Sequence, residues 1–171
     1  MINRRKQIGV GLIEVLVALL ILAVGVLGFV ALQYRAIEAA SEGESRIQAI
    51  NLARDIAEKV RVNREQIGNY ATAISENTIT LNPNCFNEFC SASEKAVFDA
   101  SQANLSAQRM GMTVNMLICP GVENRRQCIY VAWGDTSATA ADATNNEDVV
   151  DCTSVEGTYT STSTCVVMEL Y

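Results

Sequence analysis

Glu14 is the only charged side chain between Val10 and Leu32, a run of 23 residues. A carboxylate inside such a segment costs about 2.5–3.5 kcal/mol on membrane-insertion scales and marks a working site whose partner needs a name. Its chemistry is electrostatic. Alone in lipid the charge is expensive; matched by a cation it is tolerable. The other reactive side chains are Cys85, Cys90, Cys119, Cys128, Cys152 and Cys165. All lie beyond the apolar run, and an even count in an exported segment reads as a disulfide framework. Short closed segments favour the sequential set, 85–90, 119–128 and 152–165. Loops of that size contribute about 2–3 kcal/mol each in the chain-entropy model. A zinc site would need the repeated C-x₂₋₄-C spacing or histidines, and the chain has no histidine. That absence also removes the commonest general base. No nucleophile motif or phosphate-binding glycine loop stands in the sequence, so the chain reads as a non-enzyme without cofactor or metal. Asp142, Thr144, Asn146 and Asp148 alternate in the manner of calcium ligands. An EF-hand would need glycine at Glu147 and glutamate at Thr153, so this segment reads as a solvated acidic loop.

The element that must position Glu14 is a helix. At about 1.5 Å per residue, Val10 to Leu32 spans roughly 35 Å, enough to cross a bilayer core. Arg4, Arg5 and Lys6 precede it. The apolar run is longer than the h-region of a secretory signal, and no small-x-small cleavage site follows. The positive-inside rule places the basic leader in the cytoplasm and the rest of the chain outside. Gly25 and Gly28 suit close packing of membrane helices.

The helix is predicted to continue to about Asn63. From Gln33 to Asn63 there is no proline and one glycine, Gly43. Ile47, Ile50, Ala53, Ile56, Ala57 and Val60 recur at three- and four-residue steps, an apolar stripe that something must cover. Glu42 with Arg46, and Asp55 with Lys59, are spaced for i, i+4 pairing. Residues 64–93 read as mostly loop. Ser93 to Met110 carries a helical pattern with Ser93 as the expected N-cap. Met112–Ile118 and Gln127–Trp133 read as a hairpin around Pro120-Gly121, with Ile129, Val131 and Trp133 on one face. Thr136 to Asp151 reads as loop and Thr164 to Tyr171 as a last strand. Helix first and antiparallel strands after is an α+β arrangement, in which the sheet covers the stripe.

Basic residues, Gly9, then Val10-Gly11-Leu12-Ile13-Glu14-Val15-Leu16-Val17 resembles the class III leader of type IV pilins. That resemblance implies removal of residues 1–9 by a prepilin peptidase cutting between Gly9 and Val10, and N-methylation of Val10. The first mature residue of the family is usually Phe, and here it is Val10. Glu14 becomes the fifth mature residue and pairs with the freed α-amino group of a neighbouring subunit. Leu12 to Gly28, Arg54 to Asn63 with Arg64 and Tyr70, Tyr130-Val131-Ala132-Trp133, and Val166 to Tyr171 resemble the PilV subgroup of minor pilins.

The family fold is a long N-terminal helix on a small antiparallel sheet. The implied layout is a leader at 1–9, a transmembrane and filament-core helix at 10–32, and a periplasmic domain at 33–171 that includes the helix to 63. The implied place is the inner membrane in a single pass, then the pilus. The implied partners are other minor pilins, the major pilin, the prepilin peptidase and the inner-membrane assembly platform. Two alternatives stay open: a minor pseudopilin of type II secretion, and an adhesin or DNA-uptake subunit using the unmatched region 72–110. The chain has 13 basic and 19 acidic residues. Loss of the three leader cations would leave 10 minus 19, or −9. An acidic chain is a poor ligand for nucleic acid. Arg125-Arg126 reads as a solvated doublet.

Overall fold

The computed structural model describes residues 11–122, 125–141 and 150–170. The chain divides into two units, 1–43 and 44–171. Helix α1, Leu12–Val62, belongs to both. Its first part is unbroken through Gly25 and Gly28, and a β-carbon at either would meet nothing within 4 Å.

The second unit begins with the amphipathic part of α1. The buried side chains there are Ala49, Leu52, Ala53, Ile56, Ala57 and Val60. The stripe therefore differs from the sequence expectation at its start: Ile47 is 62% exposed and Ile50 half-buried. Small Ala49 and Leu52 take their place, rotated one step around the helix. The ion pair of Asp55 with Lys59, 2.7 Å, forms on the polar side.

Within 64–93, residues 76–91 are turn and loop as expected, but 64–75 are helical. A 3₁₀ turn, Arg64–Gln66, leads into helix α2, Ile67–Ser75. Tyr70, Ala73 and Ile74 of α2 are buried. Helix α3 is Ala92–Arg109, and its N-cap is Ser91, not Ser93. The Ser91 side chain accepts from the Glu94 backbone N–H, and the Glu94 carboxylate accepts from the Ser91 backbone N–H. This reciprocal capping box satisfies two donors that would otherwise be orphaned. The Ser91 backbone N–H, then the Ser91 hydroxyl, which also donates to Glu94 Oε2 at 2.7 Å, hold the Glu94 carboxyl below its usual range.

Strands β1, Met112–Ile118, β2, Gln127–Trp133, and β5, Cys165–Glu169, form an antiparallel sheet in the order β1-β2-β5. Met112 pairs with Trp133 and Ile118 with Gln127 across the hairpin. Gly121, at φ +71°, takes the left-handed conformation in the connecting turn, and a β-carbon there would lie 2.7 Å from the Glu156 carbonyl oxygen. Only glycine fits that close approach.

The segment 136–151 also departs from expectation. Strands β3, Thr136–Ala140, and β4, Val150–Thr153, pair in parallel as a second small sheet. The acidic segment 142–149 lies outside the described residues. This second sheet explains why β2 is buried on both faces. Ile129, Val131 and Trp133 join the core with α1, α2, α3 and Leu170. Cys128, Tyr130 and Ala132 face a second cluster with Ala138 and Cys152.

Candidate functional site

Gly9 and Val10 lie outside the described residues. Glu14 lies in the first turn of α1, where its backbone N–H donates to the Gly11 carbonyl at 3.0 Å. Along the same helix Leu12, Ile13, Leu16, Leu19, Leu20 and Leu22 are all exposed. Among the described residues α1 is the one helix long and apolar enough to cross a membrane, and its most apolar window has nothing buried. Burying an aliphatic side chain of this size is worth about 1.5–3 kcal/mol. A dozen such groups left in water would outweigh the stability of an ordinary domain. The segment therefore needs lipid or neighbouring helices around it. In either setting Glu14 is the sole strong electrostatic handle between Leu12 and Leu32.

The second unit supplies a stapled head. Cys85 bonds to Cys90, Cys119 to Cys128 and Cys152 to Cys165, with no free cysteine among the described residues. The first closes a short exposed turn before α3. The second closes the β1–β2 hairpin, where the Cys119 N–H also donates to the Arg126 carbonyl at 2.8 Å. The third ties β4 to β5 and so joins the two sheets.

The polar groups buried here are structural. Tyr70 donates its hydroxyl to Asp99 Oδ2 at 3.0 Å, and Lys95 forms an ion pair with the other carboxylate oxygen. Burial first, then the Asp99 charge, pushes the Tyr70 hydroxyl well above its usual range. Asn104 donates to the Ala73 and Thr78 carbonyls at 3.1 and 3.0 Å, closing the end of α2 onto α3. Tyr130 is likewise raised by burial, with Thr153 3.4 Å from its hydroxyl. Among the described residues no group of three or more cysteine, aspartate or glutamate side chains is arranged to hold a metal. The Tyr70–Asp99–Lys95 network was not foreseen from sequence, since its members lie far apart in the chain. The i, i+4 spacing of Lys95 and Asp99 was its one local signal.

Residues 4–30 match the family model for the prokaryotic N-terminal methylation motif. Residues 31–101 match the family model described as type IV pilin Tt1218. No curated protein and no solved structure matches. The two matched spans meet within α1, at residues 30 and 31.

Proposed function

We propose, for a chain that carries a type IV pilin segment behind a prepilin methylation motif, the role of a minor pilin of the PilV type that helps prime pilus assembly. In this reading the prepilin peptidase removes residues 1–9 at the Gly9–Val10 bond and methylates Val10. The mature chain waits in the inner membrane in a single pass, with residues 33–171 in the periplasm. It then joins the major pilin and other minor pilins at the assembly platform. The observation that carries the reading is the lone Glu14 in an otherwise uncharged apolar stretch, none of it buried, that the matched methylation motif overlaps.

The physics of docking follows from that charge. A carboxylate and an ammonium are each costly in hydrocarbon, and together they cancel. When Glu14 of one subunit meets the Val10 amine of another, both penalties fall. The apolar side chains of α1 exchange lipid for a neighbouring helix at little cost either way. The charge pair then decides which axial register is favoured. The proposed role is structural, so no catalytic step is assigned.

The test is mass spectrometry of the mature protein extracted from membranes. The expected mass starts at Val10, carries one added methyl group, and lacks the six hydrogens lost on forming three disulfides. A mass retaining residues 1–9 refutes the processing scheme.

A further inference from the structure

The most exposed large apolar side chain of the second unit is Phe89, at 97%, and Phe86 beside it is 76% exposed. They sit in the six-residue turn closed by Cys85–Cys90. The turn is held still. The Asn84 N–H donates to Glu88 Oε1 at 2.9 Å, and the Phe86 N–H donates to Asn84 Oδ1 at 3.1 Å. Phe86 stacks edge-on against buried Phe98, ring centroids 5.1 Å apart. The result is a rigid acidic turn with Phe89 projecting from it. An ordered aromatic knob that loses little freedom on binding is the kind of group that anchors an interface.

Lipid is the wrong partner for it. From Asn77 to Glu94 there is no Lys or Arg, while Glu88 and Glu94 are acidic. Adsorption to an anionic membrane surface relies on basic residues. The knob needs an apolar cavity with a positive rim.

The same unit contains one. A cavity of about 210 Å³ opens between the second part of α1 and β5. Ala57, Ile67, Met168 and Leu170 supply apolar lining, and Arg54, Arg61 and Arg64 stand around it. An apolar cavity of about 150 Å³ is enough to take up benzene. Glu58 and Glu169 also line the cavity, but they pair with Arg61 at 2.9 Å and Arg126 at 2.6 Å. Arg54 and Arg64 form no ion pair among the described residues, which leaves the rim positive. Arginine also favours an aromatic face over other apolar groups.

Knob and cavity lie on different sides of α1. Asp55, Lys59 and Val62 look toward Lys95 and Asp99 of α3, the helix that carries the Phe98 platform. Arg54, Ala57 and Arg61 look toward Met168 and Leu170. We propose that the Phe89 turn of one copy of this chain docks into the arginine-rimmed cavity of a second copy, Glu88 meeting Arg54 or Arg64. The contact is head-to-tail: each copy offers one knob and one cavity, and a pair leaves one of each unused. It lies wholly within the 44–171 unit, so it requires neither cleavage after Gly9 nor the Glu14 charge.

The test uses the full chain in its own membrane, with the photoreactive residue benzoylphenylalanine substituted at Phe89, a site too exposed to disturb the core. Irradiation should give a covalent dimer whose crosslinked peptides contain Arg54–Ile67 or Met168–Leu170. Arg54→Glu with Arg64→Glu should lower the dimer yield about tenfold, as expected for about 1.4 kcal/mol. Adding Glu88→Arg to that pair should restore it. The Gly9→Leu chain should crosslink equally well, which separates this contact from the processing scheme. A dimer joined at other residues, crosslinks only to lipid or to a different protein, or no crosslink at all would overturn the proposal.

Discussion

Tyr70 donates its hydroxyl to Asp99 at 3.0 Å from a position where both side chains are buried. That bond joins α2 to α3 through a charge that water does not reach freely. Lys95 neutralises Asp99 from the surface side. A hydrogen bond to a buried charged group is worth about 1.5–3 kcal/mol. Tyr70→Phe should therefore lower the unfolding free energy by about 2 kcal/mol, read as a fall in the denaturant midpoint with unchanged slope. A loss below about 0.5 kcal/mol would mean that Lys95 alone satisfies the carboxylate.

The same pair makes stability depend on alkaline pH. Folding pushes the ionisation of Tyr70 to higher pH than its unfolded value of about 10, chiefly by burial and then by the Asp99 charge. Stability from this group is complete below about pH 10 and is lost as pH rises from there through the higher folded value. Unfolding midpoints measured across that range should fall more steeply for the native chain than for Tyr70→Phe. Parallel curves would exclude Tyr70 as a source of the loss.

The bridge from Cys152 to Cys165 ties the two sheets together across a sequence separation of 13. Replacing both cysteines by alanine should cost about 3 kcal/mol in the chain-entropy model. Because β3 and β4 form only a two-stranded pair, loosening should be local. Hydrogen exchange should rise first in residues 136–140 and 150–153, while α3 stays protected. Uniform loss of protection across the domain would show that the second sheet is part of one cooperative unit.

For the proposed assembly role, Glu14→Ala should leave processing intact and reduce incorporation into pili and pilus number. Normal piliation and twitching in that strain would remove the docking role from the carboxylate. Gly9→Leu should block cleavage, leaving the precursor-sized band on a gel.

Much of this architecture is legible in the sequence because its signals are local. The apolar run, the hairpin at Met112–Ile118 and Gln127–Trp133, and the three short cysteine spacings each depend on neighbours in the chain. Helix α2 shows how a local signal is hidden. Ile67, Tyr70, Ala71 and Ile74 have clean three- and four-residue spacing, yet Gly68, Asn69 and Thr72 between them are weak helix formers. Burial of Tyr70 and Ile74 overrides that propensity. Ser91-x-x-Glu94 is a capping box in sequence as well as in structure, although Ser93 lies nearer the first periodic alanine. The β3–β4 pair is different in kind. Thr-Ser-Ala-Thr-Ala becomes a strand because Val150 to Thr153 arrives beside it, and no reading of five residues contains that information. The stripe on α1 departs from expectation only at its start, where the core takes up Ala49 and Leu52 while Ile47 stays exposed.

The three bridges span separations of 5, 9 and 13, and each cysteine bonds to its immediate companion in chain order. In the proposed orientation, with the N-terminal end anchored and the rest of the chain fed across the membrane, these thiols would arrive two at a time, Cys85 and Cys90 before Cys119. Under that proposed route, oxidation in order of arrival would yield the native set without a search among wrong partners, and closing such short loops costs little entropy. The order of synthesis would then act as the proofreader of the pairing.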